Sequence, residues 1–446
     1  MIKVRFAPSA TGYVHAGNAR LALVNFLAAR AVPGGRLLLR IDDADPDRAR
    51  PEYEAAIEQD LQWLGIDWDE KIRQSDRRER YRQVAAQLEA LGRLYPCFET
   101  EEELESKRLM RLKRKLPPIY DRAMLSLTPA QRAAAEANGK QPYFRFRLSD
   151  ASIGWNDLVL GRREIKLGNL SDPVLIRADG TTLPLFASVI DDVDLAITRI
   201  IRGEEHLIHT AIQIDLLRAM APRARVPDFA HLPLIADMQG DKLAKRAVSV
   251  SLRALRRDGI EPGALAGYLA RLGSRRDPEP LTLAELAALF DLADYARGGQ
   301  RFDPKHLLAL NRKYLHHLDY PQVADRLPEG ADAAFWRAVR GSLDLLSEAR
   351  HWWTVVQASI DAPDLPEAQA ILRAAHAALP PEPWDHTTWK NWTHAITAAT
   401  GAHGKALLMP LRLALTGESH GPELAALLPL IGAERVCARL DRAIGA

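Results

Sequence analysis

The residues best suited to chemistry stand near the start of the chain, in the stretch RFAPSATGYVHAGNAR, Arg5–Arg20. It follows a short apolar run, Met1–Val4, that predicts a strand, and it precedes Leu21–Arg30, where apolar residues recur at helical spacing. A strand, a turn of small residues and a helix start can hold a phosphate, because free backbone N–H groups and the positive end of the helix dipole meet there. His15 is placed to donate to a phosphate oxygen, and Gly17 leaves space for a base or ribose. The alternative is an ordinary turn with an exposed histidine.

A second group of chemical side chains follows Gly240, in the run Asp241–Arg246, DKLAKR. Lys242 and Lys245 are three residues apart on a predicted loop. Two such cations can stabilise negative charge that develops on a bound ligand. Taken alone, the pattern is common and usually marks a solvated surface, so its interpretation depends on the first group.

Acidic residues end a predicted strand between these groups. Arg36–Ile41, RLLLRI, is a nearly continuous apolar run after a Pro-Gly-Gly turn, which favours a strand buried on both faces of a parallel sheet. With the preceding strand and helix it completes a βαβ unit. Asp42 and Asp43 follow directly, at the carboxyl end of the strand, where open α/β sheets bind ligands. The alternative role for these acids is to cap the next turn.

Both groups resemble the signatures of one family. Arg5–Arg20 resembles the His-Ile-Gly-His signature of class I aminoacyl-tRNA synthetases, in the form typical of glutamyl-tRNA synthetases, with Ala10 where that family has Pro. Lys242–Arg246 resembles the family's Lys-Met-Ser-Lys-Ser loop, with Ala244 in place of the usual Ser. At this spacing each signature supports the other, and the resemblance extends over essentially the whole chain.

The resemblance implies roles for particular residues. Arg5 and Arg202 match the family's two readers of the glutamate side-chain carboxylate, a task that suits the forked guanidinium. Asp42 takes the place of the Glu that holds the α-amino group. The implied glutamate-binding residues are Arg5, Ala7, Ser9, Asp42, Ser188 and Arg202. The implied ATP-binding residues are His15, Gly17, Asn18, His206, Ile235, Lys242, Lys245 and Arg246. His15, Lys242 and Lys245 are the implied catalytic residues.

The chain departs from the family pattern in the glutamate pocket. Counting back from Asp191 and Asp192, Pro184 stands where the family has a Tyr that helps to bind glutamate. Proline has neither a hydroxyl nor a backbone donor. Asp42 is one methylene shorter than the family's Glu. These differences, together with Ala244, motivate the alternative of a paralogue that keeps tRNA binding and has lost or changed amino-acid activation.

These groups require several elements to position them. Helical periodicity predicts helices at Tyr53–Leu64 and Arg80–Leu91, and Asp191–Arg202 is expected to bring the chain back to the sheet. The predicted fold class is α/β: a Rossmann-like parallel-sheet catalytic domain with an α/β insertion, followed by helical stem-contact and all-α anticodon-binding domains. The predicted segments are 1–94 and 183–250 for the catalytic domain, 95–182 for the insertion, 251–315 for the stem-contact domain and 316–446 for the anticodon-binding domain.

Composition limits the other possibilities. The chain has 446 residues, 47% of them hydrophobic, and a formal net charge of +2, so a nucleic-acid surface must be a local patch. The basic run Lys107–Lys115 is one such patch, although a solvated helix face is the commoner explanation. No apolar run is long enough to span a bilayer and no signal peptide is evident, so a cytoplasmic protein is expected. Cys97 and Cys437 are the only cysteines, which predicts no zinc site and no disulfide framework.

The resemblance leads to an enzyme that joins glutamate to ATP and passes it to the 3′ end of tRNA(Glu), with tRNA(Gln) left open. Magnesium would arrive with ATP, and a monomer is the default expectation. The tRNA-binding paralogue is the first alternative. A truncated relative that glutamylates a modified nucleoside in tRNA is the second, and the long helical region beyond Leu315 argues against it.

Overall fold

The computed structural model describes residues 1–45, 47–240, 251–295, 298, 300–360, 364–385 and 387–445. Contacts within the chain divide it into two units. The first comprises Met1–Arg257 and Leu265–Asp303, and the second comprises Asp258–Ala264 and Pro304–Ala446. This division is coarser than the five predicted segments, whose boundaries stay a prediction.

The strands of the described residues all lie in the first unit. They are β1 Lys3–Phe6, β2 Arg36–Ile41, β3 Glu70–Arg73, β4 Leu94–Cys97, β5 Tyr143–Phe146, β6 Ser152–Asp157, β7 Gly161–Lys166, β8 Val174–Ile176, β9 Arg199–Gly203, β10 Asp228–Leu232, β11 Ile235–Ala236 and β12 Gln300–Arg301.

Parallel pairing runs outward in two directions from the first strand. β1 pairs with β2, with Lys3 opposite Arg36, and β2 pairs with β3. The other row has the order β9, β10, β6 and β7. Its first two pairs are parallel, and β6 pairs with β7 antiparallel. A backbone bond of 2.9 Å from Thr198 N–H to the Lys3 carbonyl joins the start of β9 to β1. The chain therefore reverses its direction of travel across the sheet between β1 and β9, where doubly wound folds bind their ligands.

The predicted insertion, 95–182, contributes to two sheets. β5 pairs antiparallel with β4 and β8 in a separate sheet of three strands. The hairpin of β6 and β7 instead extends the parallel sheet, because Asp157 at the end of β6 lies opposite Phe229 of β10. Part of the insertion is thus built into the sheet whose two halves it separates in sequence.

Helices cover this sheet and make up the second unit. They are α1 Ala16–Arg30, α2 Pro51–Trp63, α3 Arg78–Ala90, α4 Glu101–Lys113, α5 Pro129–Ala137, α6 Pro184–Asp194, α7 Leu207–Met220, α8 Leu252–Arg257, α9 Pro262–Arg271, α10 Leu283–Ala288, α11 Pro304–His317, α12 Tyr320–Val323, α13 Ala333–Val339, α14 Ala349–Gln357, α15 Gln369–Ala377, α16 Thr388–Thr400, α17 Lys405–Thr416, α18 Leu424–Ile431 and α19 Ala433–Ile444.

Buried polar groups hold the helices of the second unit together. The indole N–H groups of Trp336 and Trp392 donate to backbone carbonyls at 2.8 and 2.9 Å. Arg439 of α19 donates to the Leu415 carbonyl near the end of α17 and to the Val355 carbonyl of α14. These bonds satisfy helix-end carbonyls that would otherwise be buried without a partner.

The structure confirms some element predictions and corrects one. The run Arg36–Ile41 is strand β2, and all its residues after the first are buried, as expected for a parallel strand covered on both faces. The segment Asp191–Arg202 returns to the sheet as predicted, but its strand begins later than the segment does. Asp191 lies in helix α6, which continues to Asp194, and β9 begins only at Arg199. The hydrophobic residues of α6 face the core at helical spacing, which a short apolar segment does not distinguish from a strand.

In the part of the chain that the structure describes, no helix combines the length and the apolar character needed to cross a bilayer.

Candidate active site

A cavity of about 1280 Å³ opens where the strands of the parallel sheet end. We call it the strand-end cavity. Its walls include the segment after β1, Asp42 after β2, Arg202 near the end of β9, and the first turn of α6 at Pro184. It therefore occupies the position at which the sheet order reverses, where parallel strands present their carboxyl ends to a ligand.

Most of the sequence-predicted site residues meet in this cavity. Those that line it are Arg5, Ala7, Ser9, His15, Asn18, Asp42, Ser188, Arg202 and His206. Gly17 and Ile235 do not line it: Gly17 packs behind the His15 ring, and Ile235 is buried in β11. Lys242, Ala244, Lys245 and Arg246 lie outside the described residues, so the second signature has no structural description.

His15 caps the helix that leads away from the cavity. Its Nδ1 accepts from the backbone N–H groups of Gly17 at 3.1 Å and Asn18 at 3.4 Å. The predicted cradle of free N–H groups is therefore incomplete, because the imidazole takes two of them. Since Nδ1 is an acceptor, the ring proton resides on Nε2, and burial lowers the pKa of His15 below its usual range. The neutral ring thus keeps one N–H donor that it does not use for the cap.

Arg40 joins the predicted glutamate residues into one charged group. It donates to Asp42 Oδ1 at 2.7 Å, to Ser188 Oγ at 2.9 Å and to Asp192 Oδ1 at 3.0 Å. Arg5 Nε donates to the same Asp192 oxygen at 3.2 Å. Neither Arg40 nor Asp192 is among the site residues predicted from the sequence. A charged residue inside the buried run RLLLRI was the available indication, because a buried guanidinium requires an anionic partner.

Burial and charge oppose each other at the carboxylate of Asp42. Burial raises the pKa of Asp42 to about 6, and the Arg40 guanidinium acts in the opposite direction. At pH 7 the carboxylate is therefore mostly ionised and able to hold an ammonium group. A backbone bridge between Ser9 and Asp42 brings the ends of the first two strand segments together beside it.

Arg202 has no carboxylate of its own. Its guanidinium donates to His231 Nε2 at 3.3 Å and to Thr210 Oγ1 at 2.6 Å. No carboxylate of the described residues lies within 4.0 Å of it, and Glu205 stands exposed at the cavity edge. Burial, with Arg5 nearby, lowers the pKa of Arg202 to about 9.

The charges around the cavity do not balance. The lining carries the guanidiniums of Arg5, Arg40, Arg202, Arg253 and Arg257 but only the carboxylates of Asp42 and Glu205, and Asp192 accepts from Arg5 and Arg40 behind the wall, so positive charge is in excess. A further buried acid, Asp191, is taken by Arg77 at 2.7 Å and by the Tyr81 hydroxyl. Because a half-buried cation without an anionic partner is costly, the arrangement favours an anionic ligand at Arg202.

Pro184 occupies the first turn of α6 and lines the cavity. This is the position at which proline costs a helix least, because its missing N–H would have no partner there and its φ suits the helix. The substitution for the family's Tyr is therefore compatible with the local fold. Ser188 stands one turn further along the same helix and binds Arg40.

Two sites contain cysteines that could in principle bind a metal ion. Cys97 is buried, burial raises its pKa to about 11, and its sulfur lies 3.8 Å from the Tyr120 hydroxyl. In the second unit, ligand atoms of His376, Cys437 and Asp441 lie within 4.8 Å of one another. They also satisfy each other directly, since His376 Nε2 is 2.9 Å from Asp441 and 3.3 Å from Cys437.

Known proteins match this chain over its whole length. The family model described as "tRNA synthetases class I (E and Q), catalytic domain" matches residues 1–309, and an "Anticodon binding domain" matches residues 354–444. A protein of Acidiphilium cryptum named "Glutamate--tRNA ligase 2" is 69% identical over the full length of both chains. A protein of the same name from Granulibacter bethesdensis is 57% identical over all of this chain and 99% of its own.

Solved structures agree with these relatives. The crystal structure of a glutamate tRNA ligase from Elizabethkingia meningosepticum in complex with its amino acid superposes with a TM-score of 0.86 at 28% identity, covering all of this chain and 99% of that one. The glutamate-tRNA synthetase of Elizabethkingia anophelis gives 0.84 at 27% identity over all of both chains.

Proposed function

Since the chain belongs to the class I tRNA synthetases for E and Q, glutamate and glutamine, we propose that it activates L-glutamate with ATP and transfers it to the 3′ end of tRNA(Glu). The resemblance, the α/β fold class and the enzyme class predicted from the sequence are confirmed by these matches. The anticodon-binding match to residues 354–444 supports tRNA as the acceptor. The tRNA-binding paralogue without activation is not favoured, because full-length relatives carry the ligase name.

The observation that carries the choice of amino acid is the unmatched guanidinium of Arg202 in the strand-end cavity. A glutamate side chain brings one negative charge to it, which supplies the carboxylate that Arg202 lacks among the described residues. We propose that Arg5 and Arg202 bind this carboxylate and that Asp42 binds the α-amino group. Ala7, Ser9 and Ser188 complete the glutamate site by their position on the same walls.

We assign ATP to the part of the cavity beside His15. The Nε2–H of His15 is free of the helix cap and donates to a phosphate oxygen of bound ATP. Asn18 and His206 line the same cavity, and Gly17 packs against the His15 ring. Ile235 is assigned to ATP from the resemblance alone. Lys242, Lys245 and Arg246 are proposed from sequence alone to bind the leaving pyrophosphate, with Mg²⁺ carried in on ATP. Catalysis is then positioning of the carboxylate for in-line attack together with stabilisation of charge.

Three finer points are proposed with this function. The protein acts as a monomer, it works in the cytoplasm, and it needs no zinc. Charging of tRNA(Gln) is measured beside that of tRNA(Glu), since the geometry of the described residues does not select between them.

The test is ATP–pyrophosphate exchange driven by glutamate, glutamine or aspartate, with and without total tRNA. We expect exchange with glutamate and tRNA only. Arg202→Ala should lower kcat/KM for glutamate by at least about a hundredfold, because loss of a bidentate charged contact costs about 3 kcal/mol or more. Its ATP KM and its tRNA affinity should stay near those of the native protein.

Two results would contradict the proposal. Comparable activation of glutamine would show that Arg202 does not select a carboxylate, and comparable activation of aspartate would show that the site does not select the length of the glutamate side chain. Absence of exchange under every condition, from a protein that binds tRNA, would restore the paralogue interpretation.

A further inference from the structure

A buried chain of hydrogen bonds connects Arg202 with an aspartate of the predicted insertion. Asp157 Oδ2 lies 2.5 Å from His231 Nδ1, and both side chains are fully buried. His231 Nε2 lies 2.9 Å from Thr210 Oγ1 and 3.3 Å from Arg202 Nε. Asp157 ends β6, His231 belongs to β10 and Thr210 to α7, so three elements meet behind one guanidinium.

The surroundings of Asp157 fix the proton on His231. Asp157 Oδ1 accepts from the backbone N–H groups of Val159, Leu160 and His231 at 3.0 to 3.2 Å. These bonds and the one from the His231 ring hold the pKa of Asp157 below its usual range, although burial acts against them. Burial lowers the pKa of His231, so its ring is neutral. A carboxylate only accepts, so the ring proton lies on Nδ1 and Nε2 carries a lone pair.

That lone pair orients Arg202. Nε2 of His231 accepts from Arg202 Nε, and the Thr210 hydroxyl accepts from Arg202 Nη2 at 2.6 Å. Among the side chains and carbonyls of the described residues, none accepts from Nη1 of Arg202. Two corners of the guanidinium are therefore fixed, and the third is left for a ligand in the cavity.

We infer that Asp157 and His231 are positioning residues for glutamate recognition: Asp157 selects the Nδ1–H form of His231, and the ring then directs the Arg202 guanidinium at the glutamate side chain. This inference rests on the proposed function. It extends the amino-acid site by two residues that touch neither substrate, one of which the insertion contributes.

The near-isosteric change Asp157→Asn tests the inference. The amide oxygen of the variant keeps the three backbone N–H bonds, so the amide nitrogen faces His231 Nδ1 and donates to it. The ring proton must then move to Nε2, which donates to Thr210 Oγ1 and no longer accepts from the Nε–H of Arg202. The guanidinium thus loses one of the two side-chain contacts that orient it.

We expect the glutamate KM of Asp157→Asn in tRNA-dependent exchange to rise by about tenfold to a hundredfold, as when one hydrogen bond to a charged group is lost. The ATP KM and the kcat at saturating glutamate should change by less than about twofold, because the lost contact binds glutamate equally in the ground state and in the transition state. A purely structural role would change all three together. Asp172→Asn is the matched control: Asp172 is buried in the same insertion and accepts from the Leu148 N–H, but it does not line the cavity. It should leave both KM values within about twofold.

A glutamate KM within twofold of native in a folded Asp157→Asn protein would overturn the inference. If the variant does not fold, the ring ¹⁵N shifts of His231 in the native protein decide, assigned by their absence from His231→Gln. A protonated Nδ1 with an unprotonated Nε2 supports the inference, and a protonated Nε2 overturns it. Failure of the proposed function is a different result, because the native protein would then show no glutamate-dependent exchange.

Discussion

At the scale of residues, the charges at the strand-end cavity depend on which carboxylates bind which guanidiniums. Asp192 accepts hydrogen bonds from Arg5 and Arg40 with one oxygen, Oδ1. Asp42 accepts from Arg40 with both of its carboxylate oxygens. The ammonium group proposed to bind Asp42 therefore meets a carboxylate that is already paired. The charge state of this carboxylate should then control glutamate affinity near neutral pH.

We predict that the glutamate KM rises by about fourfold between pH 7.5 and pH 5.5, since burial raises the pKa of Asp42 to about 6 and the neutral acid no longer attracts the ammonium. Titration of Asp42 does not by itself destabilise the fold as the pH falls. A carboxyl whose folded pKa exceeds its unfolded value of about 3.9 contributes most stability below pH 4 and loses that contribution as the pH rises through 6. The measurement is steady-state exchange against pH, with ATP KM followed in parallel. Asp42→Asn should have a high glutamate KM with little pH dependence; a slope equal to the native one would assign the effect to another group.

At the scale of elements, the start of α1 fixes the orientation of the His15 imidazole. His15 is at once the N-cap of the helix and a wall of the cavity, so the same side chain sets helix geometry and presents Nε2–H to a ligand. Gly17 makes this possible, because a Cβ there would lie 2.9 Å from Cε1 of the ring. The sequence suggested a different reason for this glycine, namely space for a base or ribose.

Gly17→Ala should therefore reduce activity without reducing stability. The displaced ring weakens a cap worth about 1 kcal/mol, and alanine returns a similar amount in helix propensity. We expect a melting temperature within a few degrees of native and a kcat for exchange lowered by about tenfold or more, because a misdirected donor stabilises the transition state less well. Gly168→Ala is the control, since its added Cβ meets nothing within 4 Å. Native kcat in Gly17→Ala would exclude a role for the ring orientation.

The same elements show how far sequence reasoning reaches. The strand Arg36–Ile41, the helix after His15 and the convergence of most site residues could be predicted, because each depends on local periodicity or on a short motif. Arg40 and the network of Asp157 with His231 could not. Asp157 and His231 are 74 residues apart, and only the pairing of β6 with β10 brings them together.

At the scale of the whole molecule, the division of the chain into two units departs from its order in sequence. Asp258–Ala264 belongs to the second unit although the chain then returns to the first. Within the second unit, Glu261 pairs with Arg326 at 2.8 Å and its N–H donates to Asn311 at 2.8 Å. A cut near Leu315 would divide α11, whose buried Leu307 and Leu310 belong to the second unit. A cut after Asp303 follows the boundary except at Asp258–Ala264, which stays with the shortened chain.

We predict that a protein ending at Asp303 still binds ATP and discriminates poorly among tRNAs. The matched anticodon-binding region is removed, while the strand-end cavity lies wholly within residues 5–257. Fewer phosphate contacts should also make tRNA affinity less sensitive to salt. The measurements are circular dichroism to establish folding, ATP binding by calorimetry, and tRNA affinity against salt for both chains. Unchanged selectivity and an unchanged salt slope in the shortened protein would refute this division of labour.

The unmatched guanidinium of Arg202 has a practical consequence for handling the protein. A half-buried cation with one free corner binds whatever anion the solution supplies, so sulfate and phosphate in a buffer compete with glutamate for it. Their apparent inhibition would rise with their concentration and disappear at high glutamate. Buffers whose anions are large or singly charged suit assays of this enzyme better than those used to precipitate or crystallise it.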